Sequence, residues 1–219
     1  MANPVVEVLG VTRVFPPRHR STPPVTALRS LSFTAPPGAV LAITGANGAG
    51  KTTVLDIIAT LLLPTTGDVR VAGVSVVQRP AEVRRHVAYC PAGSASFWPR
   101  LTGRENLHCF SALAGLGAHA RPSRLAEAVS RVGLSDAVLG REVRTYSDGE
   151  VQRLNLARAL MRDVAVWLLD EPTRSLDPDA QSSIWAIIRE VARDRGLCVV
   201  AATHDMVRVS TDVDAVVRL

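Results

Sequence analysis

The sequence predicts an α/β protein. It has a phosphate-loop (P-loop) NTPase core on a mostly parallel sheet, an antiparallel β subdomain at the N-terminus and an inserted α-helical subdomain. Three observations predict it. Strand and helix patterns alternate along the chain, which implies parallel strands joined by right-handed crossovers. The run Gly45-Ala46-Asn47-Gly48-Ala49-Gly50-Lys51-Thr52 fits G-x-x-x-x-G-K-[ST] between an apolar strand and a helix. From about Leu101 to Arg162 helical patterns dominate.

The elements follow in order. Val5–Leu9 and Thr12–Phe15 read as one strand, and the proline-rich basic loop Pro16–Pro24 stops pairing. Leu31–Ala35 alternates like an edge strand. Val40–Thr44 is an unbroken apolar run, as a buried parallel strand requires. After the glycine-rich turn, Thr52–Leu63 is helical in pattern, Val69–Gly73 a strand, Ala81–Arg85 a helical turn and Val87–Tyr89 a strand. Helices are predicted over Glu105–Gly115, Arg124–Val132 and Gly149–Met161, and the helical subdomain as a whole over about 98–162. Strands return at Val164–Leu169 and Leu197–Ala202, with a helix over Asp179–Arg195 between them and a last strand over Val213–Leu219.

Composition narrows the class. The chain has 219 residues, 47% hydrophobic and 21% charged, which excludes a disordered or collagen-like chain. Aromatics are 4%, so the core is aliphatic. No apolar run reaches the roughly 18 residues of a membrane span. The first residues lack the basic and apolar segments of a secretory signal, so a cytoplasmic protein is expected. Cys90, Cys109 and Cys198 are odd in number and widely spaced, which predicts reduced, mostly buried thiols. The five histidines show no metal-ligand spacing. The net charge of +5 comes from 24 arginines and a single lysine, against 20 acids. The arginines are dispersed, without interleaved aromatics, so nucleic acid is not an expected partner. The one lysine is Lys51, at a position that needs an ammonium rather than a guanidinium.

That lysine sits in the phosphate loop. The glycines allow close backbone approach, and the successive N–H groups of Gly45, Ala46, Asn47, Gly48, Ala49 and Gly50 form an anion nest at a helix N-terminus. Lys51 is placed to reach the β- and γ-phosphates of a nucleotide and Thr52 to hold Mg²⁺. Val164–Leu169 is a buried strand that ends in Asp170 and Glu171. Two acids at the carboxyl end of a central strand lie where open α/β sheets bind ligands. Asp170 would support Mg²⁺, and Glu171 would be the general base toward water.

Lys51 and Asp170 are 119 residues apart, wider than in small kinases or switch GTPases. With the helical insertion between them, the chain resembles the nucleotide-binding subunits of ATP-binding cassette (ABC) transporters, from Val5 to about Val217. Tyr146-Ser147-Asp148-Gly149-Glu150, with Ser147 23 residues before Asp170, stands where the family has its L-S-G-G-Q signature. The resemblance implies that Ser147 and Gly149 meet the γ-phosphate of ATP held by a second subunit. It also implies that Asp177, in Pro172–Asp177, contacts the opposite subunit, that His204 senses the γ-phosphate, that Phe15 stacks on adenine and that Thr53 joins the phosphate loop in binding. Read without the family, Ser147 and Asp177 are helix N-caps and Phe15 a core residue.

Three positions depart from the pattern. Asp148 replaces a glycine, Glu150 a glutamine, and Ala92 the glutamine that the family directs at Mg²⁺ and water. For Ala92 the expected result is slower hydrolysis, or coupling that runs through another residue. The resemblance implies an ATPase bound to ATP and Mg²⁺, paired with a second nucleotide-binding subunit and peripheral on the inner face of the cell membrane through a separate transmembrane permease. The Y-S-x-G form of the signature is similar to that of exporters. Two rivals remain: a soluble ABC ATPase acting on nucleic acid or ribosomes, and a small-molecule kinase.

Overall fold

The computed structural model describes residues 3–17, 23–93, 96–205 and 211–219; the centre of the basic loop, residues 18–22, lies outside them. The chain divides into two compact units. The first comprises Met1–Tyr89, Val164–Asp170 and Arg189–Leu219, the second Cys90–Asp163 and Glu171–Ile188.

The first unit holds two sheets. β1 (Val6–Phe15) pairs antiparallel with β2 (Val25–Ala35) on one side and β4 (Thr66–Val71) on the other, and β5 (Val74–Ser75) completes the order β2-β1-β4-β5. The other sheet runs β6 (Val87–Cys90), β7 (Val166–Asp170), β8 (Cys198–Ala202), β3 (Val40–Thr44), β9 (Ala215–Arg218), with parallel pairs β7/β8, β8/β3 and β3/β9. All five residues of β3 and of β8 are buried, as expected for strands flanked on both sides. Helix α1 (Lys51–Ile58) packs Val54, Leu55 and Ile58 into one apolar cluster with Val6, Val8 and Val71 of the antiparallel sheet and Leu41, Ile43 and Val200 of the parallel one. Truncating a side chain as enclosed as Leu55 costs about 2–5 kcal/mol. α2 (Pro80–His86) leads into β6.

The second unit is helical: α3 (Gly103–Leu113), α4 (Arg121–Val132), α5 (Asp136–Leu139) and α6 (Asp148–Leu160), followed by α7 (Pro178–Arg195), which passes into the first unit after Ile188. Leu107, Leu125, Val132, Leu139 and Leu154 are among its buried apolar positions. α3 and α6 both start with a capping box, in which a hydroxyl accepts the N3 amide and the N3 glutamate accepts the cap's own amide. No helix among the described residues is long and apolar enough to cross a membrane.

Several elements differ from the sequence pattern. α1 ends at Ile58 rather than Leu63: Thr60 takes φ +62°, and the amides of Leu61 and Leu62 donate back to the Asp56 carbonyl. The pattern overran because Leu61 and Leu63 continue the apolar spacing, yet they are exposed, at 64% and 52%. β2 begins six residues earlier than the alternation indicated. Bulges around Val11 and Arg13 in the β1/β2 ladder break its period of two, so polar Arg29 and Ser30 hid it. β5 and α5 were too short to register as patterns.

Candidate functional site

The carboxyl ends of the parallel strands bring three predicted residues to one edge. β3 runs into the phosphate loop. In the neighbouring β8, Ala202 lies opposite Ile43, and on its far side Asp170 of β7 lies opposite Ala202. Thr203, buried after β8, donates its amide to the Ile43 carbonyl at 3.0 Å and so holds exposed His204 at this edge. Adjacent strands lie about 4.8 Å apart, so the loop, Asp170 and the segment of His204 are neighbours by register.

The loop itself is shaped by its glycines and lysine. Gly50, the N-cap of α1, has φ +101°, and a Cβ there would come within 2.7 Å of the Ala27 carbonyl oxygen. Only glycine fits that conformation and space. No side chain caps α1 and no acid lies in its first turn, so its leading amides and positive dipole end face an anion unopposed. Ala46, Asn47 and Gly48 are exposed, with Gly45, Ala49, Gly50 and Thr53 half-buried around them. Lys51 is 8% exposed, and its Nζ donates to the carbonyls of Gly45 (2.9 Å) and Ala46 (3.1 Å). Two of its three N–H donors thus tie the ammonium to the loop.

Thr52 meets the second motif. Its hydroxyl donates to Asp170 Oδ2 at 3.0 Å across 118 residues of sequence. A hydroxyl and a carboxylate at that separation are two hard oxygen donors, the set that suits Mg²⁺. Phe15 is half-buried at the end of β1, with the Arg13 guanidinium 4.6 Å from its ring centroid.

The second unit carries the remaining candidates. Glu171 has φ +48°, a left-handed conformation costly for a side chain of this size. The loop from Glu171 also includes Ser175 at φ +67° and ends at Asp177, whose Oδ1 accepts the amides of Asp179 (3.1 Å) and Ala180 (3.0 Å). Asp177 is therefore the N-cap of α7. Ser147 caps α6: its Oγ accepts the Glu150 amide at 3.2 Å, and Glu150 Oε2 accepts the Ser147 amide at 2.8 Å. Glu150 also pairs with Arg141. A glutamate at 150 thus serves the helix in this chain. The sequence reading noted the serine cap but missed its partner, although Ser147-x-x-Glu150 is the pattern of a capping box. At Gly149 a Cβ would meet nothing closer than Leu176 at 4.0 Å. The packing of the second unit does not demand a glycine there.

Glu171 and Ala92 line one cleft of about 320 Å³ with Asp148, Gln152 and Arg174. Gln152 was not singled out in the sequence, since one polar residue inside a helix has no local signature. The chain past Ala92 is fastened by Asn106, which accepts the Trp98 amide at 2.9 Å and donates to its carbonyl at 3.0 Å. Cys90 and Cys198 are buried and free, and Cys109 is half-buried and free. Burial pushes Cys198 up to about 12 and also raises Cys90, where the nearby Arg158 works the other way. Such thiols are inert at neutral pH.

The ABC transporter family profile matches residues 28–174. The ABC transporter ATP-binding protein NatA of Bacillus subtilis is 35% identical over 89% of this chain and 78% of its own length. The chain belongs to the ABC transporter family. As an ATP-binding cassette it is an ATPase, and its fold is that of the ATP-binding cassette MJ0796, solved as a dimer in a post-hydrolysis state bound to ADP and Pi. That match has a TM-score of 0.86 and 25% identity over 98% of this chain and 94% of the other. The chain is also 35% identical to the macrolide export ATP-binding/permease protein MacB of Rhodopseudomonas palustris over 94% of its length, and 36% identical to the methionine import ATP-binding protein MetN 1 of Rhodococcus jostii over 92%. It spans 31% of MacB and 60% of MetN 1.

Proposed function

We propose that this cassette, residues 1–219 with its helical subdomain at about 98–162, powers a separate membrane-embedded permease from the cytoplasmic face of the cell membrane. Two cassettes would clasp ATP between the phosphate loop of one and the Ser147–Gly149 helix start of the other. The observation that carries this reading is the phosphate loop: an uncapped helix end, a buried lysine turned into the loop, and Thr52 bonded to Asp170. MJ0796, solved as a dimer, supports the pairing. The space left open at Gly149 suits close approach of a ligand from a second copy.

Within this reading each residue has one task. The loop amides and Lys51 bind the β- and γ-phosphates. Thr52 and Asp170 would hold Mg²⁺, which neutralises phosphate charge when bound. Glu171 accepts a proton from the attacking water, and His204 stands at the strand edge where the γ-phosphate would lie. Phe15 offers one ring face to adenine, and Asp177 meets the partner cassette. Outward transport is proposed on the Tyr146-Ser147-x-Gly149 signature, and the name of MacB agrees while that of MetN 1 does not. ATP-driven uptake into inside-out vesicles is the expected result; uptake only into right-side-out vesicles would reverse it.

Glu171→Gln tests the core of the proposal. The amide keeps the shape but cannot take the proton, so turnover falls about 10²–10⁴-fold while ATP still binds. Light scattering should then find an ATP-dependent dimer. Undiminished phosphate release would remove Glu171 from the chemistry.

A further inference from the structure

The cleft beside Glu171 has a wall that the proposed function leaves unused. Asp148, Val151 and Gln152 line it from α6. Their spacing of i, i+3 and i+4 puts them on one helix face. Asn155 extends that face by a turn and fastens it to the chain around Ala92. Its side-chain amide donates to the Gly93 carbonyl at 3.4 Å, its Oδ1 accepts from the Ser96 hydroxyl at 3.4 Å, and its backbone carbonyl accepts the Cys90 thiol at 3.6 Å. Gln152 and Ala92 are thereby held on the walls of the same cleft.

Gln152 is 9% exposed, and among the described residues its side-chain amide makes no hydrogen bond. Its amide atoms are not sealed from solvent, so they are open to the cleft. Its natural partner is whatever enters the cleft. The cleft is shared with Glu171, and Ala92 contributes only a methyl group to it, so the amide of Gln152 and the hydroxyl of Ser175 are its uncharged side-chain donors and acceptors.

We propose that Gln152 is a positioning residue that orients the attacking water against Glu171. The inference rests on the assignment of Glu171 as the base. The water gives one hydrogen bond to the Glu171 carboxylate and one to Gln152 Oε1, which turns an oxygen lone pair toward the γ-phosphorus. As the new P–O bond forms, the bond to the ADP oxygen breaks and Glu171 takes the proton.

The test is steady-state hydrolysis of ATP with Mg²⁺ by the intact chain carrying Gln152→Met, Ala92→Gln, both together, or Glu171→Gln. Methionine keeps the volume and removes the amide. Gln152→Met should lower kcat by about 10–100-fold with KM for ATP within about twofold, the size expected for lost orientation. Adding Ala92→Gln returns an amide to the cleft from its other wall and should restore kcat to within about threefold of wild type. An unchanged kcat in Gln152→Met overturns the proposal, and so does a loss that Ala92→Gln does not rescue, because packing alone would then explain it. Turnover that survives Glu171→Gln refutes the base assignment itself, and the Gln152 role falls with it. If Gln152→Met fails to fold, Gln152→Glu keeps the shape and sets a second carboxylate beside Glu171. The pH profile of kcat should then move upward, and an unmoved profile overturns the proposal.

Discussion

Two helices of this chain begin where a phosphate is expected, and they begin in opposite ways. α1 has a glycine N-cap at φ +101°, no side-chain cap and no acid in its first turn. α6 has a serine cap, a complete capping box, and both Asp148 and Glu150 in its first turn. The first end leaves its amides and dipole available and adds Lys51. The second has already given the Glu150 amide to Ser147 and compensates its dipole with two carboxylates. α1 is thus built to take an anion unaided. α6 is built to be stable before any anion arrives, which is compatible with the proposal that its phosphate comes from another cassette.

The largest break in that contrast is Lys51→Ala. It removes the ammonium from the open end, and ATP turnover should fall at least about 100-fold, since charge-assisted bonds of about 1.5–3 kcal/mol each are lost. Equal turnover would mean that α1 binds no phosphate. Ser147→Ala strikes the closed end. Chemical denaturation should show about 1 kcal/mol less stability, the usual worth of such a cap. If stability holds while ATP-driven dimerisation falls, Ser147 serves the ligand more than its own helix.

Asp148→Gly sharpens the comparison by making α6 more like α1. Dimer affinity in ATP should rise a few-fold at low salt and the gain should shrink at high salt, because the side chain is exposed. Weaker dimerisation would show that the acid makes a favourable contact across the pair. The smallest expected effect is at the matching box of α3. There the amide of Thr102, and after it the Thr102 hydroxyl, holds the Glu105 carboxyl below its ordinary range. The folded value is depressed, so the contribution to stability is present above the ordinary glutamate range and fades as pH falls through the lowered value. An NMR titration of Glu105 that moves part of the way toward the ordinary value in Thr102→Ala, where the backbone amide remains, would check it.

Much of the site was legible because its signals are local. A buried apolar run, a glycine loop and a lone lysine stand within a dozen residues of each other, and strand, loop and helix follow from them. The same holds for Ser147 and Asp177, whose caps act over two or three residues. The overrun of α1 shows the limit. Leu61 and Leu63 kept the spacing of a buried face, yet the backbone had already turned at Thr60.

The sequence by itself determined the phosphate loop, the buried parallel strands and the helical insertion, since period, turn chemistry and capping are properties of neighbours in the chain. Tertiary structure alone decided that Thr52 meets Asp170 across 118 residues, and that the backbone at Glu171 is left-handed. It also decided that Gln152, a residue nine-tenths buried, lines a cleft shared with Ala92. Those contacts depend on strand register and on which helix face the second unit buries, and neither is written in any short window of residues.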